Sequence, residues 1–183
     1  MPTPIQLRTA ILEGIKAKIP GLPTCQPYHG EFDAEEFGRI IQPMPAVFVA
    51  CLGMPRVTPR AGGSGASADV RWAAFVVSVG TCADLRDNDA LAVVTPLLQI
   101  IPANHWGQED IHNPADIRAE NLYAGELDAK AVSIWSVSWT QSIEIPGLTA
   151  GNVAPFLIAS TTILDASGED PLIEGKVTLA GPA

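Results

Sequence analysis

Residues Ala131 to Ile145 alternate in character almost without a break. Trp135, Val137, Trp139, Ile143 and Ile145 fall on one side of that period of two, with Gln141 interrupting them. Ser136, Ser138, Thr140, Ser142 and Glu144 fall on the other. Such a segment reads as a half-buried antiparallel strand. At ~3.3 Å per residue it would run about 50 Å, well past an ordinary strand. It is expected to bend or to reach beyond its own domain.

The other segments supply partners for that strand. Ala46 to Leu52 is apolar on both faces, and Asp69 to Gly80 nearly so, as expected of central strands covered on each side. Between them, Gly53 to Ala68 carries Pro55, Pro59, Gly62, Gly63 and Gly65. It reads as a long loop without structure of its own, the protruding, mobile tip of a hairpin. A further strand is expected near Arg118 to Glu126.

Two helices are predicted. Pro4 to Ile19 starts on an N-cap at Thr3, carries the stripe Leu7, Ile11, Leu12, Ile15 and Ile19, and stops at Pro20-Gly21. A second helix starts at Asp84 or Asp87 and runs to Ile101, with Ala90, Val94, Leu97, Leu98 and Ile101 facing the core. Leu91, Val93 and Ile100 fall off that stripe, towards another subunit. Pro96 should kink or break this helix. Leu22 to Phe32 reads as a connector, Ala34 to Ile41 as a short helix, and Pro102 to Asp116 as a polar loop.

The fold class is therefore α/β (α+β): a mixed, largely antiparallel sheet flanked by two main helices, with a long hairpin loop and a C-terminal β arm. Residues 1–145 make the domain. Residues 146–183, with short strands at Phe156 to Leu164 and Glu174 to Leu179, make an arm too short to hold its own core.

Composition narrows the function. The 183 residues carry a net charge of −9, which argues against a broad basic nucleic-acid face or a polybasic membrane binder. Apolar residues make up 47% and charged residues 17%, against about 25% charged in ordinary soluble domains. A chain with so much to hide and so few charges suits an obligate oligomer. No apolar run reaches membrane-spanning length, and Met1-Pro2-Thr3-Pro4 shows no signal peptide. Cys25, Cys51 and Cys82 are expected to be reduced, mostly buried thiols in a cytosolic compartment.

The search for chemistry yields little. Gly62-Gly63-Ser64-Gly65 lacks the lysine and the following helix of a phosphate loop. His105, His112 and Asp116 offer metal-ligand types without a standard spacing. Cys82, with His29, His105 or His112, is the thiol-enzyme alternative, and Trp135 with Trp139 could stack single-stranded nucleic acid but lacks neighbouring cations. Glu35, Glu36, Asp84, Asp87 and Asp89 cluster at helix starts, where the helix dipole alone explains them. No catalytic, cofactor or metal residue is expected, and the chain is not read as an enzyme.

The segment Ile11-Leu12-Glu13-Gly14-Ile15-Lys16-Ala17-Lys18-Ile19-Pro20-Gly21-Leu22 resembles the start of a family of Mu-like phage tail-region proteins. So does Pro45-Ala46-Val47-Phe48-Val49-Ala50 with Gly53 closing the strand. The Arg71 to Val79 strand and the Asp89 to Ile101 helix fall in the corresponding places, and the resemblance covers residues 5–145. That family is similar to tail terminator, or tail-completion, proteins.

The resemblance implies a virion protein of the tail and neck, assembled in the host cytoplasm. It implies a homo-oligomeric ring, commonly hexameric, that caps the tail tube, stops its polymerisation and offers a head-tail joining surface. Its partners would be its own copies, the tail tube protein, the connector or neck proteins and, in a contractile tail, the sheath protein. DNA would only pass through the lumen, and no membrane is involved. Another connector or tube-associated virion protein is the alternative. The Gly53–Ala68 loop and the 146–183 arm are the expected contact segments, with Arg56, Arg60 and Phe156 the individual interface residues.

Overall fold

The computed structural model describes residues 2–28, 44–60, 65–122 and 131–147, and the backbone of two further strands within 158–178. The chain divides into two compact units, Met1–Pro146 and Gly147–Ala183.

The first unit has two helices and an open, mixed sheet of five strands, mostly antiparallel, an α+β fold. Helix α1 spans Pro4–Lys18 and strand β1 spans Thr24–Pro27. Strands β2 (Ala46–Pro59) and β3 (Ala66–Val79) follow, then helix α2 (Ala83–Ile100). Strands β4 (Ala115–Asn121) and β5 (Val132–Ile145) complete the unit. The strand order is β1-β2-β3-β5-β4, with only β1–β2 parallel.

Local chemistry sets the ends of α1. The Thr3 side chain accepts from the Gln6 amide while the Gln6 side chain accepts from the Thr3 amide, a reciprocal capping box, and Pro4 occupies the first turn. Leu7, Ala10, Ile11, Leu12 and Ile15 are buried, as the helical period requires.

Helix α2 runs through Pro96 without a break, and it corrects the expected core stripe. Its buried side is Arg86, Ala90, Val93, Val94 and Leu97, so Val93 faces the core and Leu98 is exposed. Arg86 is held there by donating from Nη1 to the Gly80 carbonyl at 2.8 Å. Ser78 Oγ in turn donates to the Arg86 carbonyl at 2.6 Å.

The sheet separates two apolar clusters. Both helices pack with Val47, Val49, Val70, Trp72, Val76, Val137, Trp139 and Ile143 on one face. On the other, Phe48, Ala50, Ala73, Phe75, Val77 and Ile134 form a second cluster, edged by Tyr28, Met44 and Leu122. This double burial explains why β2 and β3 read as apolar on both sides.

The long alternating strand neither needs to leave the domain nor lacks a partner. β5 pairs with β3 residue for residue from Val132↔Val79 to Ile145↔Ala66. The expected long loop is the largest correction. β2 and β3 extend through Pro59 and Ala66, and the Arg60 amide donates to the Gly65 carbonyl at 3.1 Å. Residues 61–64 lie outside the described residues.

Glycine and proline disguised those strand ends. Gly53 sits at φ +127° where the β2–β3 register shifts, a bulge that a residue with a Cβ would strain. Strand β1, read as connector, exists because Thr24–Pro27 finds Ala46–Val49 alongside it. The short helix expected over residues 34–41, with Glu35 and Glu36, lies outside the described residues.

In the second unit β6 (Ile158–Leu164) and β7 (Pro171–Thr178) form an antiparallel hairpin. Phe156 lies outside the described residues.

Candidate functional site

Strand β1 covers the outer side of β2 only from Ala46 to Val49, with one more bond from the Tyr28 amide to the Val49 carbonyl. Beyond that point no described strand pairs with the outer side of β2. The distal half carries exposed Leu52, Met54 and Val57 together with Arg56 and Arg60. An unpaired, partly apolar strand edge is a template for protein contact. Pro55 and Pro59 are tolerated there because an edge strand does not need every N–H.

Next to that edge, on the sheet face away from the helices, lies a groove of about 410 Å³. Three arginines line it, one each from β2, β3 and β4: Arg56, Arg71 and Arg118. Pairing explains their convergence. Arg56 sits opposite Asp69, Arg71 opposite Thr140, and Arg118 opposite Ser138. Ser138 and Thr140 therefore stand between Arg71 and Arg118 on the same face. Leu52 and Pro55 form the apolar side of the groove, and Asp116 adds a carboxylate.

Asp69 is satisfied within the site. Arg56 Nε lies 3.8 Å from it, and Ser142 Oγ donates to its other oxygen. Arg56 is mostly exposed, so this ion pair is weak. Arg71 and Arg118 have no ion-pair partner among the described residues. Trp72 and Trp139 lie beneath the groove, and their side chains belong to the helix-side core.

At the hairpin tip Arg60 Nε lies 3.1 Å from Glu144 Oε2, and His112 Nε2 lies 3.9 Å from Oε1. The Arg60 contact is close enough for an ion pair, but its angle does not make a hydrogen bond, and Oε2 has no donor. Arg56 and Arg60, picked out in the sequence, thus share the distal hairpin. Arg71 and Arg118 were missed. Their signal was a lone cation inside each strand, which only the strand pairing turns into one site.

The thiol and imidazole candidates are not brought together. Cys82 is the N-cap of α2, whereas His105 and His112 follow the other end, about 27 Å away along an 18-residue helix. His29 lies outside the described residues. His105 Nε2 bonds Asn113 Oδ1 at 2.7 Å, and among the described residues no group of three or more His, Cys, Asp or Glu could hold a metal. Cys25 is buried but Cys51 and Cys82 are exposed, contrary to the expectation of mostly buried thiols. Burial pushes the Cys25 thiol up to about 11, with Lys16 pulling the other way.

The aromatic pair has structural partners. Trp139 packs on Trp106 with ring centroids 6.2 Å apart, and the Trp135 indole donates to Asp87 at 2.9 Å. No helix among the described residues is long and apolar enough to cross a membrane. The sequence matches no protein-family model and none of the curated proteins.

Proposed function

We propose that this chain is a structural assembly subunit, a phage tail terminator whose copies form a ring on the end of the tail tube. The observation that carries the reading is the distal half of β2, an outer edge that no described strand pairs with, where Leu52, Met54 and Val57 are exposed beside two arginines. A chain short of charge and long in apolar residues that has an edge without a partner among the described residues is suited to contact with other protein. The resemblance over residues 5–145 supplies the kind of assembly. A cationic groove with hydroxyls between its arginines suits protein carboxylates.

The test is light scattering of the full chain, alone and mixed with tail tubes, followed by imaging of a labelled copy on the particle. Closed rings, or rings at the tube end that stop its growth, are expected. A chain that stays monomeric and never binds tubes would overturn the reading. A label in the neck or along the tube would favour the connector or tube-associated alternative.

A further inference from the structure

The groove arginines and the exposed side of α2 are complementary in charge. The chain has seven arginines, and three of them line this one groove in a protein of net charge −9. Arg71 and Arg118 are exposed and without ion-pair partners among the described residues. They project from strands separated by β5 and pair with residues two apart along it, so their backbones stand about 12 Å apart.

Helix α2 presents the matching surface. At 100° per residue Asp84, Leu85, Asn88 and Asp89 fall on one side, opposite the buried Arg86, Ala90, Val93, Val94 and Leu97. All four are exposed, and Leu85 is 64% exposed. Asp84 and Asp89 have no ion-pair partner among the described residues and lie about 7.5 Å apart along the axis. Two carboxylates face outward there, as two guanidinium groups do in the groove, where Ser138 and Thr140 stand between them and Leu52 and Pro55 lie to one side.

We propose that the groove of one copy receives the outward side of α2 from a second copy. Asp84 and Asp89 pair with Arg71 and Arg118, and Ser138 and Thr140, which stand between those arginines, donate to the incoming carboxylates. The groove opens on one sheet face while α2 packs on the other, so the two patches cannot meet within one subunit. The contact is heterologous and repeats head to tail, closing a ring when the rotation permits. The inference rests on the ring-forming reading above and names its contact.

Sedimentation of four full-length proteins over a concentration series tests it, with co-sedimentation on tail tubes if the wild type associates only there. R71E/R118E and D84R/D89R should each associate at least about tenfold more weakly, since like charges then face each other. Their equimolar mixture should regain association, because each supplies the charge the other needs. The chain carrying all four substitutions should associate as the wild type does.

Reversed variants that associate normally would overturn the proposal, as would weakened variants that neither mixing nor the fourfold swap restores. If a reversed chain fails to fold, R71Q/R118Q and D84N/D89N take its place, each expected to weaken association severalfold. Wild-type binding to tubes with unaffected variants sinks only the groove contact. A wild type that never associates sinks the ring reading as well.

Discussion

Gln141 and Trp106 join β5 to the loop after α2: the indole N–H of Trp106 donates to Gln141 Oε1 at 3.0 Å. Gln141 Nε2 donates in turn to the carbonyls of Asn104, at 3.0 Å, and His112, at 2.9 Å. The side chain is completely buried, so these three bonds satisfy both ends of the amide. What looks like a fault in the apolar period of β5 is the polar anchor of residues 104–112.

Replacing Gln141 by Leu removes all three bonds and leaves the Trp106 N–H and two carbonyls to find new partners. An unsatisfied buried group costs ~1–3 kcal/mol, and water can reach the loop carbonyls more easily than the indole. A loss of about 3 kcal/mol is expected from urea unfolding. A loss below about 0.5 kcal/mol would show that the anchor is dispensable.

Gly14 presses α1 against the same indole. A Cβ there would lie 2.8 Å from Cε3 of Trp106, a buried ring already packed on Trp139. Alanine gains ~1 kcal/mol of helix propensity, but overpacking costs ~1–3 kcal/mol. We expect Gly14→Ala to destabilise by about 1 kcal/mol, and Gly14→Val by more. Thermal unfolding of the two variants measures the order.

Cys25 makes stability depend on pH in the alkaline range. Its folded thiol titrates at about 11 against an ordinary value of 9.0, because burial disfavours the thiolate. The folded state therefore holds the proton more tightly. The resulting stability is complete below pH ~9 and is lost as the pH rises towards ~11. Between those values wild type should lose stability more steeply than Cys25→Val, measured by denaturant midpoints. At pH 8 a thiol reagent should modify Cys51 and Cys82 and spare Cys25 until the chain unfolds.

The outer edge of β2 should govern assembly without governing folding. Val57 is 55% exposed, so Val57→Lys should change stability by no more than ~0.5 kcal/mol. The same charge on an open edge should block strand-to-strand contact and lower ring formation or tube binding. Unchanged binding by a folded Val57→Lys protein would exclude this edge from the interface.

The local patterns of the chain carried the helices and β5. Thr3 with Pro4 and the apolar stripe through Ile15 marked α1, and the alternation of Trp135 to Ile145 marked β5. The misreadings share one cause. Thr24–Pro27 is a strand only because β2 lies alongside it, and Gly53 to Pro59 remains a strand because β3 holds its inner side. Neither fact is local. The groove was hidden for the same reason: Arg71 and Arg118 lie 47 positions apart, and only the β3–β5–β4 register sets them on one face.

Val93 shows a subtler limit. It lies 100° round α2 from Val94 but only 40° from Leu97, and it is buried in the helix-side core although the expected stripe passes it by.

The ladder between β3 and β5 has no register shift, whereas the one between β2 and β3 shifts on both sides of Gly53. A push on the hairpin tip would therefore meet a stiff beam along one rail and a joint along the other. Gly53, lacking a Cβ, is the place where β2 can flex without breaking the continuous ladder on the other side of β3.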